Sequence, residues 1–436
     1  MPSVATQVQR VLGEIADGRL ARLPFDLAFW DGSTITATAA PARAATIAVG
    51  RRVVGHLLRE PNQLGLTRAF VAGDLRVANG GIEDVLAWRA TFAGLTLTRR
   101  ERLKVARLAL RLAGVSALRP ARVPASELRP EGRRHSMWRD RAVVRHHYEV
   151  SNAFYRQLLG PTLVYSCAYF AEPGESLETA QERKLELICR KLRLAEGERF
   201  LDVGCGWGSL VLHAAAHHGA RATGITLSQA QAELAQERIR DAGLADRCEV
   251  RVADYRELRD GPFDKIASIG MYEHVGAQQL GTYAATLARL VRPGGLVLNH
   301  GISRLWTTTA AGDKSLIQRY VFPDGELQPL PDIVAALHRA GFETRDVESL
   351  REHYPLTLRR WLANLDADPD AAIAAAGAER LRVWRLYLSG SALAFEDGDI
   401  TVFQVLASRR DGRPGLDLVR GDPLAGWRQA TGVADR

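Results

Sequence analysis

Between residues 198 and 302 the chain keeps one rhythm, a short apolar run followed by a longer amphipathic one. ERFLDVGC, RATGITLS, CEVRVADY, FDKIASIG and GGLVLNHGI each have the length and apolar content of a strand. The stretches between them include SLVLHAAAHHG, QAQAELAQERIRDAG and LGTYAATLARLVRPG, long enough to cross a sheet as helices. With such crossovers, successive strands run parallel, because the chain returns to the same end of the sheet before starting the next one. A doubly wound, mostly parallel α/β sheet is therefore expected from Arg141 onward. DITVFQVLASRR, after a helical stretch, predicts one further, antiparallel closing strand.

Asp202, Gly204, Gly206 and Gly208 sit where the first of these strands gives way to a helix. Small residues at that turn let a ligand approach the backbone at the carboxyl edge of the sheet. The G-x-G-x-G spacing differs from the G-x-G-x-x-G of dinucleotide folds. The next strand ends in GITLSQ, without an acid to hold an adenosine ribose. No Gly-Lys-Ser/Thr follows, which excludes a phosphate-binding P-loop. A tight turn without any ligand is the remaining plain reading.

The earlier part of the chain has another texture. Residues 1–118 mix short strand-like pieces with helical ones, which predicts a smaller α+β domain. RPARVPASELRPEGRRHSMWRD is rich in proline and arginine and is expected to be a linker over residues 119–140, ahead of a catalytic domain at 141–436. GLTRAFVAGDLRV suggests a compact helical turn region, and RRERLKVARLALRLAG a helix. In that helix Val105, Leu108, Ala109 and Leu112 share a face, with Lys104, Arg107 and Arg111 on another side. It suits a core-packed helix with a solvated basic face, or one that meets anionic headgroups.

The formal net charge of +8 favours nucleic acid or an anionic lipid surface as a partner, or serves solubility alone. No apolar run is long enough to span a bilayer, and the start of the chain lacks the pattern of a secretory signal. The four cysteines, Cys167, Cys189, Cys205 and Cys248, have no paired spacing. Neither a disulfide framework nor a metal site is expected, and the pattern fits a reducing cytoplasm.

LDVGCGWGSL resembles the first motif of S-adenosylmethionine-dependent methyltransferases of class I. HHYEVSNAFYRQLLG, LVYSCAYF, GITLSQAQ, ADYREL, MYEHVG, LARLVRPGGLVLNHGI, IQRYVFPDGELQPL and LSGSALAFEDGDITVFQV follow in order. Together they resemble the cyclopropane fatty-acyl-phospholipid synthase family, including the mycolic acid and tuberculostearic acid methyltransferases. The likeness runs from about Val143 to the end, and more weakly over the N-terminal region. It implies a class I methyltransferase fold, with Tyr165 and Ser166 closing over S-adenosylmethionine at the strand end marked by Asp202. Gly204 and Gly206 would admit the amino-acid end. Thr226, Leu227, Ser228 and Gln231 would hold the ribose, Gln231 standing in for the usual acid, and Asp254 and Tyr255 would flank the adenine.

The resemblance also implies a bound bicarbonate that takes a proton from a carbocation, held by Cys167, Glu273, His300, Ile302 and Tyr354. Cys167 would be a wall of that pocket and not a nucleophile. Tyr169, Phe170, Tyr272, Tyr320 and Phe322 are candidates for stabilising a cation through their ring faces, although residues of this kind are more often plain core and, without the resemblance, each reads as packing. Ser391 stands where many family members carry a cysteine, so either activity is lost or that cysteine is no nucleophile; carbocation chemistry needs no thiolate, which favours the second. The implied reaction adds a one-carbon unit to a cis double bond of a phospholipid acyl chain, giving a cyclopropane or a methylene branch that a separate reductase could saturate. The implied setting is the inner face of the cell membrane, touched peripherally by a cytoplasmic protein, with a homo-oligomer left open. A nucleic-acid or other small-molecule methyltransferase is the alternative. Against nucleic acid stand the lack of stacking aromatics among the basic residues and of an Asn-Pro-Pro-Tyr-like tetrapeptide. A lipid carrier without activity is a third class.

Overall fold

The computed structural model describes residues 2–38, 44–60, 62–87, 98–113, 121–128, 131–148, 151–308, 315–418 and 421–427. The chain forms two compact units. The first is Met1–Leu128 with Gly312–Val321 and Gly377–Leu393, and the second is the remainder.

In the first unit, helix α1 (Val4–Glu14) precedes strands β1 (Asp26–Phe29), β2 (Thr34–Ile35) and β3 (Thr46–Val49). Helices α2 (Val53–Arg59) and α3 (Gln63–Ala72) lead to β4 (Leu75–Asn79). The sheet order is β2-β1-β3-β4, with β1 and β3 parallel and the other pairs antiparallel. GLTRAFVAGDLRV is thus the body of α3 and the start of β4. The Asn62 side chain caps α3 by accepting from Leu64 and Gly65 N–H, and Gly73 ends it in the left-handed conformation. Helix α4 (Arg99–Ala113) lays Leu112 against the small core of Val4, Ala5, Leu23, Phe29 and Ile35. Its Glu101 accepts from Ala16 N–H at 2.6 Å.

The proline-rich stretch, expected as a linker, divides between the two units. Glu127 takes both arms of the Arg68 guanidinium, at 2.6 and 2.8 Å, and belongs to the first unit. Arg139 is 8% exposed on helix α5 (Met137–Tyr148) of the second unit, where it forks onto Asp324 at 2.7 Å through both nitrogens. Of the described arginines in this stretch, Arg139 is buried on a carboxylate remote in sequence, whereas Arg122, Arg133 and Arg134 are exposed. The first unit likewise recruits late segments: Arg382 donates to the Val71 carbonyl at 2.7 Å. A single continuous cut near residues 119–140 could not describe this division.

The second unit carries the expected sheet. Helix α6 (Asn152–Leu159) and helix α7 (Leu177–Lys191) precede β5 (Arg199–Val203), α8 (Ser209–His218), β6 (Arg221–Thr226), α9 (Gln229–Asp241), β7 (Cys248–Val252) and β8 (Phe263–Ile269). Then come α10 (Leu280–Leu290), β9 (Val291–Arg304), α11 (Leu330–Arg339), β10 (Phe342–Ser349), α12 (His353–Ala367) and β11 (Ile400–Arg409). The strand order is β10-β11-β9-β8-β5-β6-β7. The run from β9 to β7 is parallel, and β11 pairs antiparallel with both β9 and β10.

Both faces of this sheet are covered. Phe200, Leu296 and Leu298 pack with α7, α8 and α9, while their neighbours Leu201 and Val297 pack with α10 and α11. This is the period-two alternation of a strand buried on each side. The result is the doubly wound fold expected from the sequence. Edge strand β10, which no apolar run announced, is mixed in polarity and only partly buried.

Candidate active site

The glycine turn connects β5 to α8. Gly204 has φ +81°, and a β-carbon there would lie 2.7 Å from Met271 Cγ. Gly206 has φ +55°, and a β-carbon there would meet nothing within 4 Å. Gly204 is therefore required by packing, whereas Gly206 borders open space. The N–H groups of Gly204 and Cys205 both donate to the Ile225 carbonyl at 2.9 Å, pinning the turn to β6.

Asp202, at the end of β5, is 2% exposed, and its Oδ1 has no partner. Burial pushes its pKa up to about 7, opposed by the charge of Lys184. Lys184 is itself 2% exposed, and burial brings its pKa down to about 8. Its ammonium donates to Ser166 Oγ at 2.8 Å. Sequence reasoning missed Lys184. It occupies the apolar face of α7 with Gln181, Leu185 and Ile188, all buried, and a charge on such a face was the available signal. Tyr165 lies between Tyr155 and Trp361, with ring centroids at 5.9 and 5.3 Å.

On the β6 side, Thr226 Oγ1 donates to Gln231 Oε1 at 2.7 Å and accepts from Ser228 N–H at 3.2 Å. Ser228 Oγ caps α9 by accepting from Gln231 N–H at 3.3 Å. Thr226, Ser228 and Gln231 thus form one local network, with Leu227 half-buried between them in sequence. Asp254 is already engaged within the protein. Both its oxygens are held by Arg256, at 2.8 and 2.6 Å, and Arg256 also reaches Asp140 at 2.9 Å. Any adenine contact would use the lone pairs that remain on that carboxylate. Tyr255 packs edge-on against Tyr283, 5.6 Å between centroids, in the core beneath α10.

Glu273 lies on a single helical turn after β8 (Tyr272–Val275). Its Oε1 accepts from Ile302 N–H at 2.7 Å, and its Oε2 is buried without a partner. Burial raises its pKa to about 7. His300 is 2% exposed, its Nδ1 has no partner, and burial lowers its pKa to about 3, assisted by the charges of Lys184 and Lys191. It is a neutral imidazole at any ordinary pH. His300 sits directly opposite Gln404 across the β9–β11 pair, and neither end of that buried amide has a partner. Opposite residues in a ladder share a face, so Gln404 adds to the polar lining beside His300. Nothing in its local sequence marked it, since only strand pairing brings it there.

Pleating sends His300 and Gly301 to opposite faces of β9. A β-carbon on Gly301 would lie 2.9 Å from Glu273 Oε2, so the Glu273 carboxylate is on the Gly301 side. The five residues expected around an anion therefore fall into smaller groups. Glu273 and Ile302 are bonded directly. Cys167 packs against the other wall, with Sγ 3.7 Å from the Leu350 carbonyl and the adjacent Ala168 N–H on Thr357 Oγ1 of α12 at 3.1 Å. Tyr354 is on that same helix, its ring 4.6 Å from Phe395 and 6.3 Å from Trp361. Burial raises the Cys167 pKa far above that of a free thiol, so it is protonated and no nucleophile.

Among the ring candidates, Tyr272 is 2% exposed beneath Gly301. Tyr169 donates to Glu348 at 3.2 Å and stacks on His353, and Phe322 meets His274 edge-on. Tyr320 belongs to the first unit, its hydroxyl on Glu127 at 3.2 Å. Ser391 lies half-buried on helix α13 (Ala378–Glu396), in the part that belongs to the first unit.

The mycolic acid cyclopropane synthetase family matches residues 135–405, the span that holds the glycine turn, Glu273 and His300. The chain belongs to this family. It is similar over 93% of its length to a probable fatty acid methyltransferase of Mycobacterium tuberculosis, at 39% identity and covering 95% of that protein. A probable fatty acid methyltransferase of Pseudomonas putida is likewise 39% identical, over 92% of this chain and 96% of its own. The cyclopropane-fatty-acyl-phospholipid synthase of Escherichia coli is 37% identical over 61% of this chain and 68% of its own. Among solved structures, the mycolic acid cyclopropane synthase CmaA1 complexed with SAH and CTAB superposes with a TM-score of 0.58. It is 32% identical and covers 62% of this chain and 98% of that one. This member of the cyclopropane synthetase family is accordingly an S-adenosylmethionine-dependent fatty-acyl methyltransferase, as its motifs implied. Among the described residues, no helix is long and apolar enough to cross a membrane.

Proposed function

We propose that the protein transfers a one-carbon unit from S-adenosylmethionine to the cis double bond of an unsaturated acyl chain in a membrane phospholipid. The product is a cyclopropane or a methylene-bearing chain of the 10-methylene-stearoyl type. The observation that carries this reading is the span of likeness. Two probable fatty acid methyltransferases match more than nine-tenths of the chain, including residues ahead of the family match at 135–405.

An alkene is a weak nucleophile, so orientation and dry surroundings must supply much of the rate. Asp202, Gly206, Thr226 and Gln231 line the carboxyl edge of the sheet, where they would hold the cofactor. Lys184, a buried ammonium beside Ser166 and within the field of Asp202, is suited to the cofactor's carboxylate. Bicarbonate, when bound, supplies the base that removes a proton from the alkylated chain. Glu273, which titrates near neutrality with Oε2 unpartnered on the Gly301 side of β9, fits one side of such an anion, and the unpartnered Nδ1 of neutral His300 and the protonated thiol of Cys167 would meet it around the end of that strand. Each can share or donate a proton toward an oxyanion without adding a fixed negative charge.

The membrane contact falls to α4. Leu103 and Leu110 are 56% and 46% exposed, one stripe two turns apart, and Arg99, Arg100, Arg102, Lys104, Arg107 and Arg111 around them are exposed. Apolar residues framed by cations suit an anionic headgroup layer.

The deciding experiment is expression in a host rich in oleoyl phospholipid, followed by mass spectrometry with fragmentation to separate ring from branch. A lipid mass increase of one carbon with the double bond consumed is expected. An unchanged lipid profile from protein that still binds S-adenosylhomocysteine would overturn the substrate assignment.

A further inference from the structure

On the face of the second unit formed by α7 and α8, four side chains converge that the methyl-transfer site does not use. Cys189 Sγ and one ring nitrogen from each of His213 and His218 all lie within 4.8 Å of one another. Glu186 Oε2 sits between the two imidazoles, 2.9 Å from His213 Nε2 and 3.0 Å from His218 Nε2. The other oxygen of Glu186 is held by Arg190. No spacing rule would have found this group, because two ligands come from each of two helices that meet only in the fold. It revises the expectation, drawn from cysteine spacing, that the chain lacks a metal site.

We propose that Glu186, Cys189, His213 and His218 form a structural site for a divalent transition ion of the zinc class. One thiolate, two imidazoles and a carboxylate are the donor set that zinc selects, and four protein ligands close its tetrahedron. Zinc bonds of about 2.0–2.3 Å place ligand atoms roughly 3.3–3.8 Å apart, so on loading the cysteine and histidine donors close up by at most about 1.5 Å while Glu186 Oε2 backs away from the imidazoles by a few tenths. Charge favours the exchange. The thiolate and the carboxylate together neutralise the dication, which matters because Cys189 is fully buried and Glu186 is 6% exposed. Loading releases the thiol proton and moves each imidazole proton from Nε2 to Nδ1. The histidine side chains, at 11% and 15% exposure, give the ion its way in. Once loaded, the ion ties α7, which carries Lys184, to α8, which starts at the glycine turn.

The test uses tag-free full-length protein, incubated with zinc and dialysed against metal-free buffer. One equivalent of zinc is retained, and Tm rises until one equivalent has been added. Cobalt in place of zinc gives tetrahedral absorption with a thiolate-to-cobalt charge-transfer band. Cys189→Ala loses that band, and His218→Gln loses stoichiometric retention, while both still bind S-adenosylhomocysteine. His218 is partly exposed at a helix end, so its replacement keeps the test open should Cys189→Ala not fold. Retention well below one equivalent in the parent protein, or a charge-transfer band that survives in Cys189→Ala, overturns the proposal.

Discussion

Replacing Glu273 by Gln should make the protein more stable at pH 8 and nearly inactive. Burial raises the Glu273 pKa from 4.5 to about 7, so the folded state holds this proton over a range in which the unfolded chain has lost it. The stability this confers is complete below about pH 4.5 and is lost as pH rises through about 7. At about 1.4 kcal/mol per pH unit, the ionised carboxylate costs the fold on the order of 3 kcal/mol at pH 8, given the shift from 4.5 to about 7. Glutamine keeps an oxygen for Ile302 N–H and has no proton to lose. Asp202 and Lys184 also titrate near this range but are common to both proteins, and cancel in the difference. The assay is urea unfolding of parent and variant at pH 5 and pH 8, followed through the buried Trp207 and Trp361 of the second unit. The variant's midpoint should exceed the parent's at pH 8 with equal slopes, and the gap should shrink toward zero at pH 5. A gap of the same size at both pH values, or a less stable variant at pH 8, would refute the idea that Glu273 is an uncompensated buried acid. Loss of lipid turnover in the stabilised variant would then show stability given up at the pocket in exchange for chemistry.

Gly206→Ala should weaken S-adenosylhomocysteine binding at least tenfold by calorimetry, because its methyl group enters the open side of the turn. The left-handed backbone adds only about 1–2 kcal/mol of strain. Unchanged affinity would move the cofactor elsewhere. Gly204→Val is a poorer probe, since its side chain strikes Met271. His300→Ala should abolish most lipid turnover while Ser391→Ala keeps most of it. The reverse pattern, in proteins of parental stability, would transfer the chemistry to the terminal helix. Arg107→Glu with Arg111→Glu should reduce sedimentation with anionic vesicles and spare cofactor binding, at about 1 kcal/mol for each basic side chain lost. Lys104 is left alone because Glu14 already holds it at 2.9 Å. Equal binding of parent and variant, or equal binding to neutral vesicles, would move the membrane contact off α4.

The alternation of apolar runs from β5 to β9 determined the sheet, because the strands inside it are buried on both faces and each crossover has helix length. The glycines at 204 and 206 marked the turn at the carboxyl edge of the sheet for an equally local reason: both adopt a left-handed backbone, and at 204 a β-carbon would strike Met271. What lay beyond the sequence is what pairing and packing create. Gln404 becomes a neighbour of His300 only when β11 inserts beside β9. Arg256 reaches across Asp254 only once the turn after β7 has closed. Residues 119–140 suggested a linker, yet Glu127 and Arg139 are buried in ion pairs of different units. The cysteines looked unpaired along the chain, yet Cys189 meets two histidines and a glutamate where α7 packs on α8. Periodicity is a property of neighbours in sequence and survives translation into a one-dimensional pattern. A buried charge or a ligand cluster is a property of neighbours in space, set by which helix faces meet, and only the tertiary structure decides it.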